Sequence, residues 1–347
     1  MRGLELSQRF FYDVIHPLLQ THYQPLLPFL AAGLIGGGSE VLGFDDAISQ
    51  DHNFSPRVQL FVTEPAIAPE IDAIRHTILA AVPAQYLGFP LQHDQWLSFI
   101  EVAPLDAFFH NYLTIDHWPY TAQDWLKLDE QKLLELTSGT VFFDPQGRLQ
   151  QRRTLLHFYP DDVRYFLLYQ GFVRLSEVGA IERTIRRGDI IATSLYQAFF
   201  VYFTIKVFHL FHRRYCPYRK WMGRSLQTVG EDGRHLHQML ETMLTAVDLS
   251  ATRTGVTNIL HFLSKLILHE LVITPTDAPP PHKPLHLIDF DWDRILMVLK
   301  ASLPDELLRL SPVVTPQTMW GLLFDMEGLG SDYRATLQAN LDFLGQE

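Results

Sequence analysis

The hydrophobic period of this chain changes near residue 150, and that change limits the folds open to it more than any other feature. Before it, short apolar runs are fenced by proline and glycine. Phe29 to Ile35 enters Gly36-Gly37-Gly38-Ser39, Val58 to Val62 lies between Pro56 and Pro65, and Trp96 to Val102 is a third run; these are expected strands. Thr140 to Leu149 contains Asp144-Pro145-Gln146-Gly147, a turn sequence between two β-prone pieces, and is read as a hairpin closing the first domain. Two helical patterns accompany these strands: Leu4, Phe11, Val14, Ile15 and Leu18 up to Pro25 and Pro28, and the span Ile71 to Val82. After it, Pro160-Asp161-Asp162 reads as a helix start, with the proline pre-set in φ and the acids complementing the dipole. Asp189 to Arg214, Leu236 to Val247, Val256 to His269 and Trp292 to Leu299 then repeat apolar residues every three or four positions, with Ala278 to Pro281 as an extended linker. At 347 residues the chain is long enough for two cores. The expectation is an α+β protein: a small mixed α/β domain over residues 1–150 and a larger all-α helical domain over 151–347.

Charge and cysteine content narrow the partners. A formal net charge of −11 argues against a broad nucleic-acid surface, which needs clustered Lys and Arg, but leaves room for a small nucleotide held through metal ions. One cysteine, Cys216, excludes an intrachain disulfide and points to a reducing compartment, so the expected location is the cytoplasm. Arg2, Glu5, Arg9, Asp13 and His16 interrupt the N-terminus, so no signal peptide is expected. Ile190 to Phe211 is long enough to span a bilayer but carries Ser194, Gln197, Lys206 and His209; it is read as a buried helix, with no membrane partner.

The chemistry concentrates between residues 36 and 54. Glycines let backbone approach a phosphate closely, and the Ser39 hydroxyl at a helix start would add a donor. Asp51 and Asn53, one residue apart, would project to the same side of an extended segment and offer two oxygens to magnesium. No lysine follows the glycines as a phosphate-binding Walker loop requires, and Val41 stands where a dinucleotide fingerprint or a nucleophile elbow needs glycine. Glu101, among apolar neighbours on the third strand, is a carboxylate that needs a reason. Elsewhere the plain readings prevail. His209 and His212 have no third ligand nearby, Asp289 to Asp293 lacks the glycine of a calcium loop, and Arg213, Arg214, Arg219 and Lys220 suit a basic helix end.

Gly-Ser, a spacer near ten residues and then Asp-x-Asp resembles the signature of the polymerase-β-like nucleotidyltransferases. The likeness sharpens toward a bacterial family of uncharacterised nucleotidyltransferase-like proteins, on Gly38-Ser39-Glu40, Gly43-Phe44-Asp45-Asp46 and Asp51-His52-Asn53. Tyr159-Pro160-Asp161-Asp162-Val163-Arg164, the run from Arg213 to Trp221, and His269-Glu270-Leu271-Val272-Ile273-Thr274 also look like its helical motifs. The resemblance implies transfer of a nucleoside monophosphate, AMP from ATP, to a hydroxyl on a small molecule, protein or RNA, with Mg2+ or Mn2+ as cofactor. It further implies that Gly38 and Ser39 hold phosphate, and that Asp51, Asn53 and Glu101 ligate metal. Asp51 and Glu101 would be catalytic, and Arg219 and Lys220 would neutralise the triphosphate from the helical side. This sequence departs from the family at Asn53, where an aspartate is the rule. An amide supplies an oxygen but no charge, which raises the alternative of a degenerate site in a binding or interaction protein.

Overall fold

The computed structural model describes residues 1–46, 48, 55–91, 98–115, 120–246, 248–270 and 290–309. The fold is α+β, a small mixed sheet with its helices and a larger helical part. The chain forms two compact units, Met1–Trp118 with Gln131–His157, and Pro119–Glu130 with Phe158–Glu347.

The first unit opens with α1 (Gly3–Phe10), a π turn (Phe11–Ile15) and α2 (His16–His22). Leu6, Phe10, Phe11, Ile15 and Leu19 are all fully buried. Their spacing would spread them around a straight α-helix, and the wider π turn pulls the phase back so that one face meets the core. Next come β1 (Leu30–Leu34), β2 (Val58–Val62), α3 (Ile71–Ala81), a small ribbon of β3 (Gln85–Tyr86) and β4 (Phe89–Pro90), β5 (Ile100–Pro104) and α4 (Leu105–Leu113). The chain leaves for α5 (Ala122–Lys127) in the second unit. It returns through α6 (Glu130–Thr137) to β6 (Thr140–Phe143) and α7 (Arg148–Leu155).

The main sheet has the order β5-β2-β1-β6. β1 is antiparallel to β2 and β6, while β2 and β5 run parallel. All five residues of β1 are buried, as a continuous apolar run in a central strand requires. The third strand starts at Ile100 rather than near Trp96, which lies outside the described residues.

The expected hairpin over Thr140 to Leu149 does not form. Asp144-Pro145-Gln146-Gly147 turns into α7 instead: the Gly147 N–H donates to the Asp144 carbonyl at 3.0 Å, and the Asp144 carboxylate accepts the Gln150 N–H at 2.9 Å. A carboxylate that satisfies an amide of the first helical turn leads the chain into a helix, not a returning strand.

The second unit adds α8 (Asp161–Leu175), α9 (Gly179–Arg186), α10 (Ile190–Phe211), α11 (Arg219–Leu226), α12 (Gly230–Leu244), α13 (Leu249–Glu270), α14 (Trp292–Ala301) and α15 (Asp305–Arg309). Pro160 is the N-cap of α8, one position earlier than the sequence pattern suggests. α8 and α10 meet closely at Gly171, where an added Cβ would lie 2.5 Å from Val207 Cγ2. That contact packs the C-terminal half of α10. The expected burial of the whole helix is therefore corrected, since Ile190, Ile191 and Leu195 near its start are 78%, 77% and 67% exposed. By length and composition α10 could cross a membrane.

Two ion pairs anchor this unit. Arg164, fully buried on α8, is paired with Glu270 at the end of α13. Lys206 on α10 is paired with Glu130, whose other carboxylate oxygen accepts the Cys216 N–H at 2.9 Å. Burial alone would lower the Lys206 ammonium, but the adjacent Glu130 carboxylate overrides it and holds the pKa above the ordinary lysine value.

Candidate functional site

The glycine loop leaves the end of β1. Gly36 has φ +90°, and its N–H is held by the Glu135 carbonyl at 2.9 Å. Gly38 has φ +138°, and a Cβ there would come within 2.6 Å of Arg57 Nη2 and 2.7 Å of the Glu40 carboxylate. Arg57 pairs with Glu40 and donates to the Gly37 carbonyl at 3.0 Å. Gly38 is thus fixed both by its backbone conformation and by the ion pair against it. Ser39 starts a turn rather than a helix: the Phe44 N–H returns to the Ser39 carbonyl at 2.8 Å, and Gly43 has φ +74°. Without a helix the loop gains no helix dipole, and Glu40 offsets the charge of Arg57. A polyphosphate here would need cationic help from elsewhere.

Glu101 lies on the same sheet and is tied to this loop. In the parallel register Gln59 of β2 stands opposite Glu101 of β5. The Gln59 side-chain oxygen accepts the Ile35 N–H at 2.9 Å, and its amide nitrogen donates to Glu101 Oε2 at 3.2 Å. The backbone donor fixes which way the amide faces, so its NH2 group must point at the carboxylate. Glu101 is exposed and, with Tyr112, lines an open pocket of about 260 Å3. The Tyr112 hydroxyl donates to Glu135, the residue that holds Gly36, and an added Cβ at Gly36 would lie 3.3 Å from that hydroxyl. The structure therefore brings Gly38, Ser39 and Glu101 to connected parts of one unit.

Asp51 and Asn53 lie outside the described residues. Among the described residues no three His, Cys, Asp or Glu gather as a metal site, so Glu101 is the one expected ligand with a described position. Its exposed carboxylate, bonded to a single amide, suits a hard divalent cation as one oxygen ligand. Arg219 and Lys220 occupy the first turn of α11, not the end of α10, and Lys220 lies over the Trp221 ring at 4.9 Å. Arg213 pairs with Asp161, at 2.5 Å.

Three other candidates have structural explanations. His209 is buried, its ring bonded to the Ile205 carbonyl and the Ser225 hydroxyl at 2.9 Å each, and burial pushes its pKa down to about 4. Cys216 is buried, and burial raises its thiol above the usual range, the opposite of what activates a nucleophile. Asp291 caps α14 by accepting the Arg294 N–H at 3.1 Å. Sequence reasoning passed over Gln59, Arg57, Tyr112 and Glu135. Arg57 beside Pro56 at the mouth of β2 was the one local signal available.

Residues 125–222 match a family described as a domain of unknown function (DUF4037). No curated protein matches the chain. A solved structure of a nucleotidyltransferase-like protein from Exiguobacterium sibiricum 255-15 is similar at 13% identity and a TM-score of 0.34, over 85% of this chain and 91% of that one.

Proposed function

We propose that this chain, which carries the matched family segment, is a nucleotidyltransferase-type enzyme that moves AMP from ATP to a hydroxyl acceptor. The observation that carries the reading is the Gln59 bridge, which links the amide preceding the glycine loop to the one expected carboxylate whose position is described. In this reading Gly38 and Ser39 receive phosphate through the loop backbone, beside the Arg57–Glu40 pair that packs against Gly38. Glu101, aimed by Gln59, takes the proton of the attacking hydroxyl. Asp51, Asn53 and Glu101 would hold magnesium or manganese, which when bound supplies the positive charge that the Arg57–Glu40 pair does not.

A second reading rests on Asn53: a site that binds nucleotide without turnover, since an amide contributes no negative charge toward two dications. Pyrophosphate release from ATP with Mg2+ or Mn2+ and a panel of hydroxyl acceptors tests the first reading. Release that Asp51→Ala abolishes supports it, and none under any condition counts against it. Asn53→Asp separates the two readings, with a large gain of turnover meaning that the natural chain is impaired.

A further inference from the structure

Resting on that reading, we infer that Arg57 is the phosphate-binding cation of the glycine loop, and that Glu40 is a built-in anion that holds the guanidinium until the triphosphate displaces it. Glu40 completes the Gly38-Ser39-Glu40 motif, and the transfer reaction by itself gives it no part. The two side chains meet in the space that Gly38 leaves by having none: a Cβ there would lie 2.6 Å from Arg57 Nη2 and 2.7 Å from each Glu40 oxygen. The phosphate of the transfer reading belongs at Gly38 too, and two anions cannot share that place without repulsion. One must yield.

Arg57 is anchored and Glu40 is the side that gives. The Arg57 N–H donates to the buried Ser7 hydroxyl at 3.0 Å, and the Val58 N–H that follows donates to the Phe99 carbonyl at 2.8 Å, so the guanidinium hangs from the fixed start of β2. Glu40 lies inside the turn that the Phe44 N–H closes on the Ser39 carbonyl. The grip between them is also incomplete. Arg164 brings two nitrogens to the two oxygens of Glu270, and Arg152 brings two to Asp106. Arg57 meets Glu40 through Nη2 alone, the same nitrogen that donates to the Gly37 carbonyl, and its buried Nε has no partner among the described residues. A guanidinium is a fork of donors suited to two-point contact, so the closed pair leaves an unmet donor that a shift toward a better acceptor removes. A phosphate chain, with more oxygens and more charge than one carboxylate, is that acceptor. The loop is open to it: Gly37 is exposed, and a Cβ built there would meet nothing nearer than a Glu135 oxygen at 3.9 Å.

Isothermal titration with inorganic tripolyphosphate, in the presence of a metal chelator, reads the loop without turnover. Glu40→Gln, which keeps the size and removes the charge, should tighten tripolyphosphate binding about fivefold or more, and Arg57→Gln should weaken it about tenfold or more. In the parent chain the Arg57 Nε–Hε resonance, assigned by its loss in Arg57→Lys, should shift as tripolyphosphate is added, a readout that does not depend on a variant binding the probe. No binding by either the parent or Glu40→Gln, unchanged or weaker binding by folded Glu40→Gln, unchanged binding by folded Arg57→Gln, or a resonance that stays still would each overturn the inference and leave the pair a structural one. The expected binding pattern with no pyrophosphate release from ATP under any metal condition would leave the role of Arg57 standing and remove the transfer reading. Release that Asp51→Ala abolishes and Arg57→Gln leaves at the parent rate would do the reverse.

Discussion

His209 shows how a single buried side chain adds to the acid sensitivity of the second unit. Its folded-state pKa is pushed down to about 4 by burial, against an ordinary value near 6.5 in the unfolded chain. The folded form therefore resists a proton that the unfolded form accepts, so the neutral ring's contribution is fully present above about pH 6.5 and is lost as the pH falls toward 4. The depression corresponds to about 3 kcal/mol over that window. Urea unfolding at stepped pH should show stability falling between 6.5 and 4, and His209→Gln should flatten that slope; an unchanged slope would assign the acid sensitivity to other groups. In sequence the histidine read as either satisfied or solvent-facing, and its bonds to the Ile205 carbonyl and the Ser225 hydroxyl decide for the first. Gln59 was not legible. Its importance comes from a parallel register that sets it opposite a residue 42 positions later, and local alternation through Val58, Gln59 and Leu60 carries no trace of that pairing. The loop motif was visible residue by residue, yet the turn at Ser39 in place of a helix depends on the reversal at Gly43 and on the Phe44 amide, neither of which spacing reveals.

At the scale of elements, the edge between α6 and β6 is the least tolerant position in the first unit. Gly139 has φ +71°, donates its N–H to the Val41 carbonyl at 3.0 Å, and sits so close to β1 that a Cβ would lie 2.0 Å from the Leu34 carbonyl oxygen. Gly43 has a similar φ of +74° but open space around it. The two positions separate conformational strain from steric exclusion. Gly43→Ala should cost about 1 kcal/mol of backbone strain, whereas Gly139→Ala should cost about 3–5 kcal/mol because β6 must leave β1 to make room. Denaturant midpoints of the two variants check this, and equal losses would mean that the sheet edge yields without penalty. The strands over 30–34 and 58–62 were readable because proline and glycine fence them. The hairpin failed because an Asp-Pro-Gln-Gly turn serves a hairpin and a helix entry equally well. Only the reach of the Asp144 carboxylate to the Gln150 amide decides, and that is a feature of geometry.

At the scale of the whole molecule, the chain passes between the two units three times, at residues 118–119, 130–131 and 157–158. The change of hydrophobic period announces the last crossing and gives no sign of the excursion over 119–130. That short segment is nevertheless built into the second unit's core. Trp125, Leu126 and Leu128 are buried, the Trp125 ring meets Tyr159 at 5.9 Å, and Gln123 Nε2 donates to Glu306 at 3.3 Å. Glu130 holds both the Lys206 ammonium and the Cys216 amide. Because the Lys206 pKa is raised, this pair is fully present below about pH 10.4 and is lost only as the pH climbs through the higher folded-state value, so an experiment at neutral pH reads all of it. Cutting the chain once, at a protease site placed between His157 and Phe158, should therefore not release two separate bodies. The N-terminal piece still carries residues 119–130, and the pieces should elute together on gel filtration at neutral pH. Glu130→Ala leaves the 12%-exposed Lys206 side chain without its carboxylate, a loss of about 3–5 kcal/mol for a buried pair. In the cut protein it should lower the urea concentration at which the pieces part. If the cut pieces separate without denaturant, or if Glu130→Ala parts them at the same urea concentration as the parent, then the Glu130 ion pair is not what binds this segment to the helical unit.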